Sequence, residues 1–188
     1  MPERGIHAKE PVSAVLAGPY GHPFHPILVT VPIGAWVSSL VFDVASHVVD
    51  DPGPLATGAE WLIAIGVLGA LAAATVGFLD LFTIPTGTPA RRTAITHMAL
   101  NLAITVGFAV DFVWRLGADE RATALGPLVL SVVCLAGLAV SGALGGKLAY
   151  HYGVRVASET VQAAGFETAP SAGRRQASST PSISRKGD

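Results

Sequence analysis

The sequence predicts an all-α integral membrane protein, an up-down four-helix bundle followed by a disordered C-terminal tail. Three observations carry that expectation. Four runs are apolar over the length needed to cross a hydrocarbon core, about 20 residues at a rise of about 1.5 Å each. The segments between them are short and rich in breakers, as in Asp50-Asp51-Pro52-Gly53-Pro54 and Ile84-Pro85-Thr86-Gly87-Thr88-Pro89. Such connections turn consecutive helices antiparallel. Finally, the chain is 51% hydrophobic and only 13% charged, with a mean hydropathy of +0.53, far from the composition of a soluble domain.

Taken in order, residues 1–26 form a leading segment without a signal-type apolar run, so the first span is expected to direct insertion itself. Residues 27–151 form the membrane domain, with spans near 27–49, 60–83, 93–115 and 124–150. Residues 152–188 form a cytoplasmic tail. From about Ala157 the chain turns to Ser, Thr, Ala, Gly and Arg with no apolar period, a composition that cannot offset the entropy of ordering. Lys9, Arg91, Arg92, Lys147 and Arg155 gather on one side of the predicted bundle, which predicts both termini on the cytoplasmic side of the plasma membrane; Arg115 and Arg121 at the third connection dissent. A formal net charge of −1 disfavours nucleic acid as a partner and leaves the lipid bilayer as the obligatory one. The single cysteine, Cys134, excludes an intrachain disulfide or a cysteine-built metal cluster, and reads as a small apolar filler.

Ionisable residues inside the spans are costly, on the order of 3 kcal/mol each on insertion scales, so each asks for a partner, water or a role. One group falls at the predicted cytoplasmic end: His22 and His25 before the first helix, Asp80 late in the second, His97 and Asn101 early in the third, and His151 after the fourth. In His22-Pro23-Phe24-His25-Pro26 each proline pushes the preceding histidine toward extended backbone, and Pro32 is expected to bend or loosen the first helix. On the third helix a rotation of about 100° per residue puts His97, Asn101, Phe108, Asp111 and Arg115 within about 80° of one another. That face serves either as a ligand-bearing surface or as one that hydrogen-bonds a neighbouring helix and sets its register. Asp80 shares a face with Gly66, Gly69, Ala73 and Gly77, which turns it toward protein, where it either accepts from an imidazole or pairs with Arg91 or Arg92. The opposite end holds a thinner polar group: Asp43 and His47 one turn apart and able to pair, Glu60, and Asp111 pairing with Arg115 or lining a hydrated pocket.

With His22-Pro-Phe-His25-Pro-Ile-Leu-Val, Pro32-Ile-Gly34, Asp43, Gly77-Phe-Leu-Asp80, Ile84-Pro-Thr-Gly-Thr-Pro-Ala-Arg91 and His97-Met-Ala-Leu-Asn101 on the page, the chain resembles a prokaryotic membrane family filed as domain of unknown function 2231. The likeness runs over roughly residues 21–150 and leaves the tail outside. It implies a short four-span domain, and a Rieske-type iron-sulfur protein as a redox partner by analogy with fused or neighbouring relatives. It implies no catalytic activity, and it singles out His22, His25, Asp43, Asp80, His97 and Asn101.

Three functions compete on these residues. The first is a redox-associated protein that binds haem b or a transition metal through His25 and His97, with His22, Asp80 and Asn101 as supporting or substitute ligands. The second is proton, ion or small-solute transport along His97, Asn101 and Asp111, completed by Asp43 and His47 and built as a homo-oligomer. The third is a non-catalytic anchoring module whose histidines only join helices. No independent catalytic residue set is expected under any of them.

Overall fold

The computed structural model describes Lys9, residues 23–117, residues 122–164 and Phe166. Among these residues there is no strand, and four helices are long and apolar enough to cross a bilayer: Phe24–Ser46, Gly53–Leu81, Pro89–Arg115 and Leu125–His151. Each span packs on the next in the chain, and the first also meets the fourth. The burial pattern is that of a protein dissolved in lipid. Ser39, Asp43, Asp111 and Ser131 are fully buried, while Val41, Leu68, Leu102, Val113 and Val133 stand exposed on the outer faces. Apolar side chains gain little by leaving hydrocarbon, so apart from one apolar layer much of the interior goes to small and polar groups that need one another.

The first span starts at Phe24, with Pro23 extended at its N-cap and Pro26 inside its first turn. A first-turn proline surrenders an N–H that would have no helical partner anyway, so the local preference for extended backbone at His25 is overridden. His25 therefore sits on a helix rather than on an extended lead-in. The span then breaks at Val29, between Phe24–Leu28 and Thr30–Ser46. The cause is Pro32, which offers no N–H to the carbonyl four residues back at Leu28.

The second span begins at Gly53, well before the expected position, because Pro54 falls in its first turn and is tolerated there. Its small residues form a groove for the first span. Side chains of Phe42, Trp36, Val31 with Pro32, and His25 lie over Gly58, Gly66, Gly69 and Gly77 respectively, so close that an added Cβ would collide at each. The two antiparallel helices are thereby keyed along their length.

The turn into the third span is closed locally. Gly87 takes φ +78°, Thr88 Oγ1 caps the helix by accepting from the Arg91 N–H at 3.2 Å, and Pro89 opens it. Arg91 Nη1 donates to the carbonyls of Leu81 at 2.7 Å and Ile84 at 3.0 Å, satisfying acceptors left at the end of the second span. The fourth span ends in one π-helical turn, Lys147–His151. The chain then doubles back, with the Val154 N–H on the Leu148 carbonyl at 2.9 Å and its side chain packed on Leu81, Ile84 and Ala94. A separate unit begins at Ala157 and holds, among its described residues, the short helix Glu159–Ala164. The expected disorder of the tail falls mostly on residues 167–188, outside the described residues.

Midway along the bundle, Trp36 stacks on Phe108 with ring centroids 4.2 Å apart, and its Nε1 donates to the Ile63 carbonyl at 3.3 Å. Ile63, Ile104 and Cys134 complete this apolar layer. It divides the interior into two polar ends.

Candidate functional site

At one end, where the first span begins, two partly buried histidines from different helices come together. The rings of His25 and His97 lie 6.5 Å apart, centroid to centroid, with their planes at 80°. His25 rests over Gly77, and its Nδ1 is 2.9 Å from the Ala73 carbonyl on the second span. His97 rests over Gly145, and its Nδ1 is 2.9 Å from the Ser141 carbonyl on the fourth. A carbonyl can only accept, so each Nδ1 carries the proton and each Nε2 keeps its lone pair. Asn101, one turn after His97, ties the third span to the fourth through its amide, which donates to Ser141 Oγ at 2.6 Å and to the His97 carbonyl at 2.8 Å. The same amide nitrogen lies 3.2 Å from His97 Nε2.

Asp80 belongs to this end but not with the partners anticipated for it. Its Oδ1 lies 3.2 Å from Nε of Arg155, a residue beyond the fourth span, and both side chains are about nine-tenths buried. Arg91 is turned away onto the backbone carbonyls described above, so the expected Asp80–Arg91 pair does not form. Sequence spacing could not offer Arg155, because only the π-turn and the fold-back after it bring the residue to the second span. His22 lies outside the described residues. His151 is exposed, with its ring edge-on to Tyr152 at 4.8 Å. Among the described residues no group of three or more His, Cys, Asp or Glu side chains converges to hold a metal ion.

The other end is denser than the sequence indicates. Arg115 lies inside the bundle and is gripped by two fully buried carboxylates. Its Nη1 and Nη2 donate to Asp43 Oδ1 and Oδ2 at 2.6 and 2.9 Å, a bidentate fork. Its Nε and Nη2 donate to Asp111 Oδ1 and Oδ2 at 3.2 and 3.1 Å. Ser131 Oγ donates to Asp111 Oδ2 at 2.6 Å, and Thr123 Oγ1 donates to Asp43 Oδ1 at 2.7 Å. The Thr123 N–H reaches Ser46 Oγ at 3.1 Å, so the loop before the fourth span is stitched to the end of the first.

Of the predicted outer group, then, Asp43 and Asp111 meet across Arg115, whereas His47 is exposed at the C-cap of the first span and the Asp43–His47 pair does not form. The carboxylate prefers a guanidinium, whose forked donors match both of its oxygens. The signal for this cluster was the Asp111-to-Arg115 spacing of four on a helix; the third member, Asp43, comes from 72 residues away.

These features define a class: a four-span membrane bundle with a histidine pair at one end, an arginine-carboxylate cluster at the other and an apolar layer with stacked aromatic rings between. The chain belongs to the family described as predicted membrane protein, DUF2231, whose profile matches residues 21–158. No curated protein and no solved structure matches it.

Proposed function

We propose that this protein is a membrane-embedded metal carrier of redox type, holding a transition metal, bare or as the iron of haem b, between His25 and His97. One observation carries the reading: two imidazoles from separate helices, 6.5 Å apart, each with Nδ1 committed to a backbone carbonyl. Metal–nitrogen bonds of about 2.0 Å and a ring radius of about 1.1 Å put two imidazoles on opposite sides of one ion about 6.2 Å apart, centroid to centroid. The observed 6.5 Å is a few tenths of an ångström wider, so the rings would close slightly on the ion. The Nδ1–H to carbonyl bond is the usual support behind a metal-ligating histidine, fixing tautomer and ring direction. Asn101 and Ser141 then serve as positioning residues for His97.

The transport reading has less behind it. Asp111 is engaged by Arg115 and Ser131, His47 lies outside the bundle, and the Trp36–Phe108 stack interrupts the polar face between Asn101 and Asp111. We place the histidine end on the cytoplasmic side of the plasma membrane, since Lys147, Arg91, Arg92 and Arg155 flank it, and Lys9 lies beside Gly153 there. Arg115, neutralised within the bundle, no longer counts against that orientation.

The test is an absorption spectrum and metal analysis of protein purified from cofactor-replete cells, repeated for His25→Ala and His97→Ala. A Soret band or stoichiometric metal that both substitutions remove is the expected result. Absence of both signals from the unaltered protein would sink the reading.

A further inference from the structure

We propose that the end of the fourth span binds an anionic phospholipid, its headgroup phosphate held by Lys147 and His151 on a face that one π-helical turn assembles with Tyr152. The proposal goes beyond the metal reading and stands or falls separately from it.

The turn makes the face. Lys147–His151 is π-helical, closed by the Tyr152 N–H on the Lys147 carbonyl five residues back at 3.1 Å. In an α-helix Tyr152 would stand about 140° around the axis from Lys147. The wider turn instead brings residues four and five apart onto one side, and single π-turns of this kind are frequent at functional sites. Lys147 Nζ lies 5.7 Å from the centre of the Tyr152 ring, a cation–π contact, and the His151 ring meets the same ring edge-on at 4.8 Å. An ammonium and an imidazole are thus set against one phenol. Leu148 takes the inward side of the turn, packed on the cluster of Leu81, Ile84 and Ala94, while Lys147 and His151 are left exposed.

Depth and charge select the partner. Leu125–Gly146 is 22 residues without a charged side chain, about 33 Å of helix, which fills a hydrocarbon core of about 30 Å. Lys147 is the first charged residue after it, so Lys147, His151 and Tyr152 stand at the level of the lipid phosphates. An ammonium and an imidazole N–H both donate to a phosphate oxygen, and aromatic rings favour that depth. Asp80 does not compete for them, since its carboxylate is buried against Arg155. On the same helix face, within about 40° of Lys147, Val129, Val133 and Val140 are exposed. A bound headgroup therefore has an apolar track for its acyl chain directly below it, which a soluble phosphate has no use for.

The test is native mass spectrometry of the full-length protein released from mixed micelles holding equal amounts of phosphatidylglycerol and phosphatidylcholine. The unaltered protein should retain one phosphatidylglycerol in preference to phosphatidylcholine. Lys147→Gln should lower that preference about fivefold, and Lys147→Arg should keep it. Tyr152→Leu, which removes the ring beneath the ammonium, should also lower it. Arg92→Gln removes an exposed cation at the same membrane surface and should leave the preference unchanged. Inorganic phosphate in excess, at constant ionic strength, should not displace the lipid. Equal retention of the two lipids by the unaltered protein overturns the proposal. Equal losses from Lys147→Gln and Arg92→Gln also overturn it, since they would mark a diffuse surface charge. Full preference in Tyr152→Leu would deny the assembled face, and displacement by inorganic phosphate would make the ligand a soluble anion; either result overturns the assignment.

Discussion

Replacing Arg115 with Met should be among the most damaging single changes in the bundle, and most of the damage should be reversible by two further substitutions. The guanidinium makes four contacts to carboxylate oxygens, at 2.6, 2.9, 3.2 and 3.1 Å, and both carboxylates are fully buried. Arg115→Met removes the cation but leaves Asp43 and Asp111 facing each other out of water. Breaking a buried pair from one side costs about 3–5 kcal/mol, against near neutrality when the whole group is replaced by apolar or uncharged residues. At about 1.4 kcal/mol per tenfold, that is a loss of roughly 150- to 4,000-fold in the folded-to-unfolded ratio. The triple variant Asp43→Asn, Asp111→Asn, Arg115→Met should recover most of it, because Thr123 and Ser131 can still hydrogen-bond the amides. Unfolding by SDS titration in mixed micelles, followed by far-UV circular dichroism, reads the difference. A single variant within about 1 kcal/mol of the parent, or a triple variant no more stable than the single, would refute the argument. Arg115 would then be a surface charge and the three-helix cluster an irrelevance.

Other expectations follow from the same contacts. Gly66→Ala would place a methyl group in the Trp36 ring, whose movement is restricted by its stack on Phe108; a loss of about 1–3 kcal/mol in the same titration is expected, and a neutral result would deny the keyed groove. Gly77→Ala should displace His25 from the Ala73 carbonyl and lower metal occupancy in elemental analysis, while an unchanged metal content would detach His25 from the site. Asn101→Leu removes the donor to Ser141 Oγ and the His97 carbonyl, and should cost about 1–3 kcal/mol in stability together with a tenfold or larger drop in metal affinity. A loss of stability alone would make it a register device. In liposomes loaded with a pH-sensitive dye, proton flux should stay at background; flux that Asp111→Asn abolishes would revive the transport reading against the apolar layer.

How much of this was legible in the sequence depends on the range of the interactions. The number of spans, their antiparallel order and the inward face of the third helix follow from composition and a period of 3.6, which are local properties. The glycine face of the second span was equally visible as a place for close helix approach, but that the first span fills it only the structure shows. His25 and His97 could be placed at one depth because depth is a count of residues along a helix. Partner choice could not be read in that way. Asp80 sat one connection away from Arg91 and Arg92 in sequence, yet it pairs with Arg155, while Arg91 donates to the Leu81 and Ile84 carbonyls at the end of its own hairpin. Asp43 had a histidine one turn along its own helix and took an arginine from another. In both cases the near neighbour on the chain lost to a distant residue with better geometry, and only the packing of the bundle shows which distant residue that is.

The two polar ends differ in a way that bears on what each is for. At the arginine end the bonds close on one another: every carboxylate oxygen of Asp43 and Asp111 accepts from Arg115, two of them also accept a hydroxyl, and the loop through Thr123 is drawn in as well. Such a network resists rearrangement, since any member that moves strands a charge in a medium that cannot solvate it. At the histidine end the bonds run outward. Each imidazole is tied by Nδ1 to a carbonyl of an adjoining helix, while the Nε2 lone pairs stay available beyond the single 3.2 Å approach of Asn101 to His97. A closed network suits a clamp and an open one suits a site. With the stacked rings of Trp36 and Phe108 between them, the clamp joins three helices while the histidine end is tied only to backbone carbonyls and Asn101. That division gives a physical reason for burying an arginine and two aspartates in a membrane bundle: they join three helices from within.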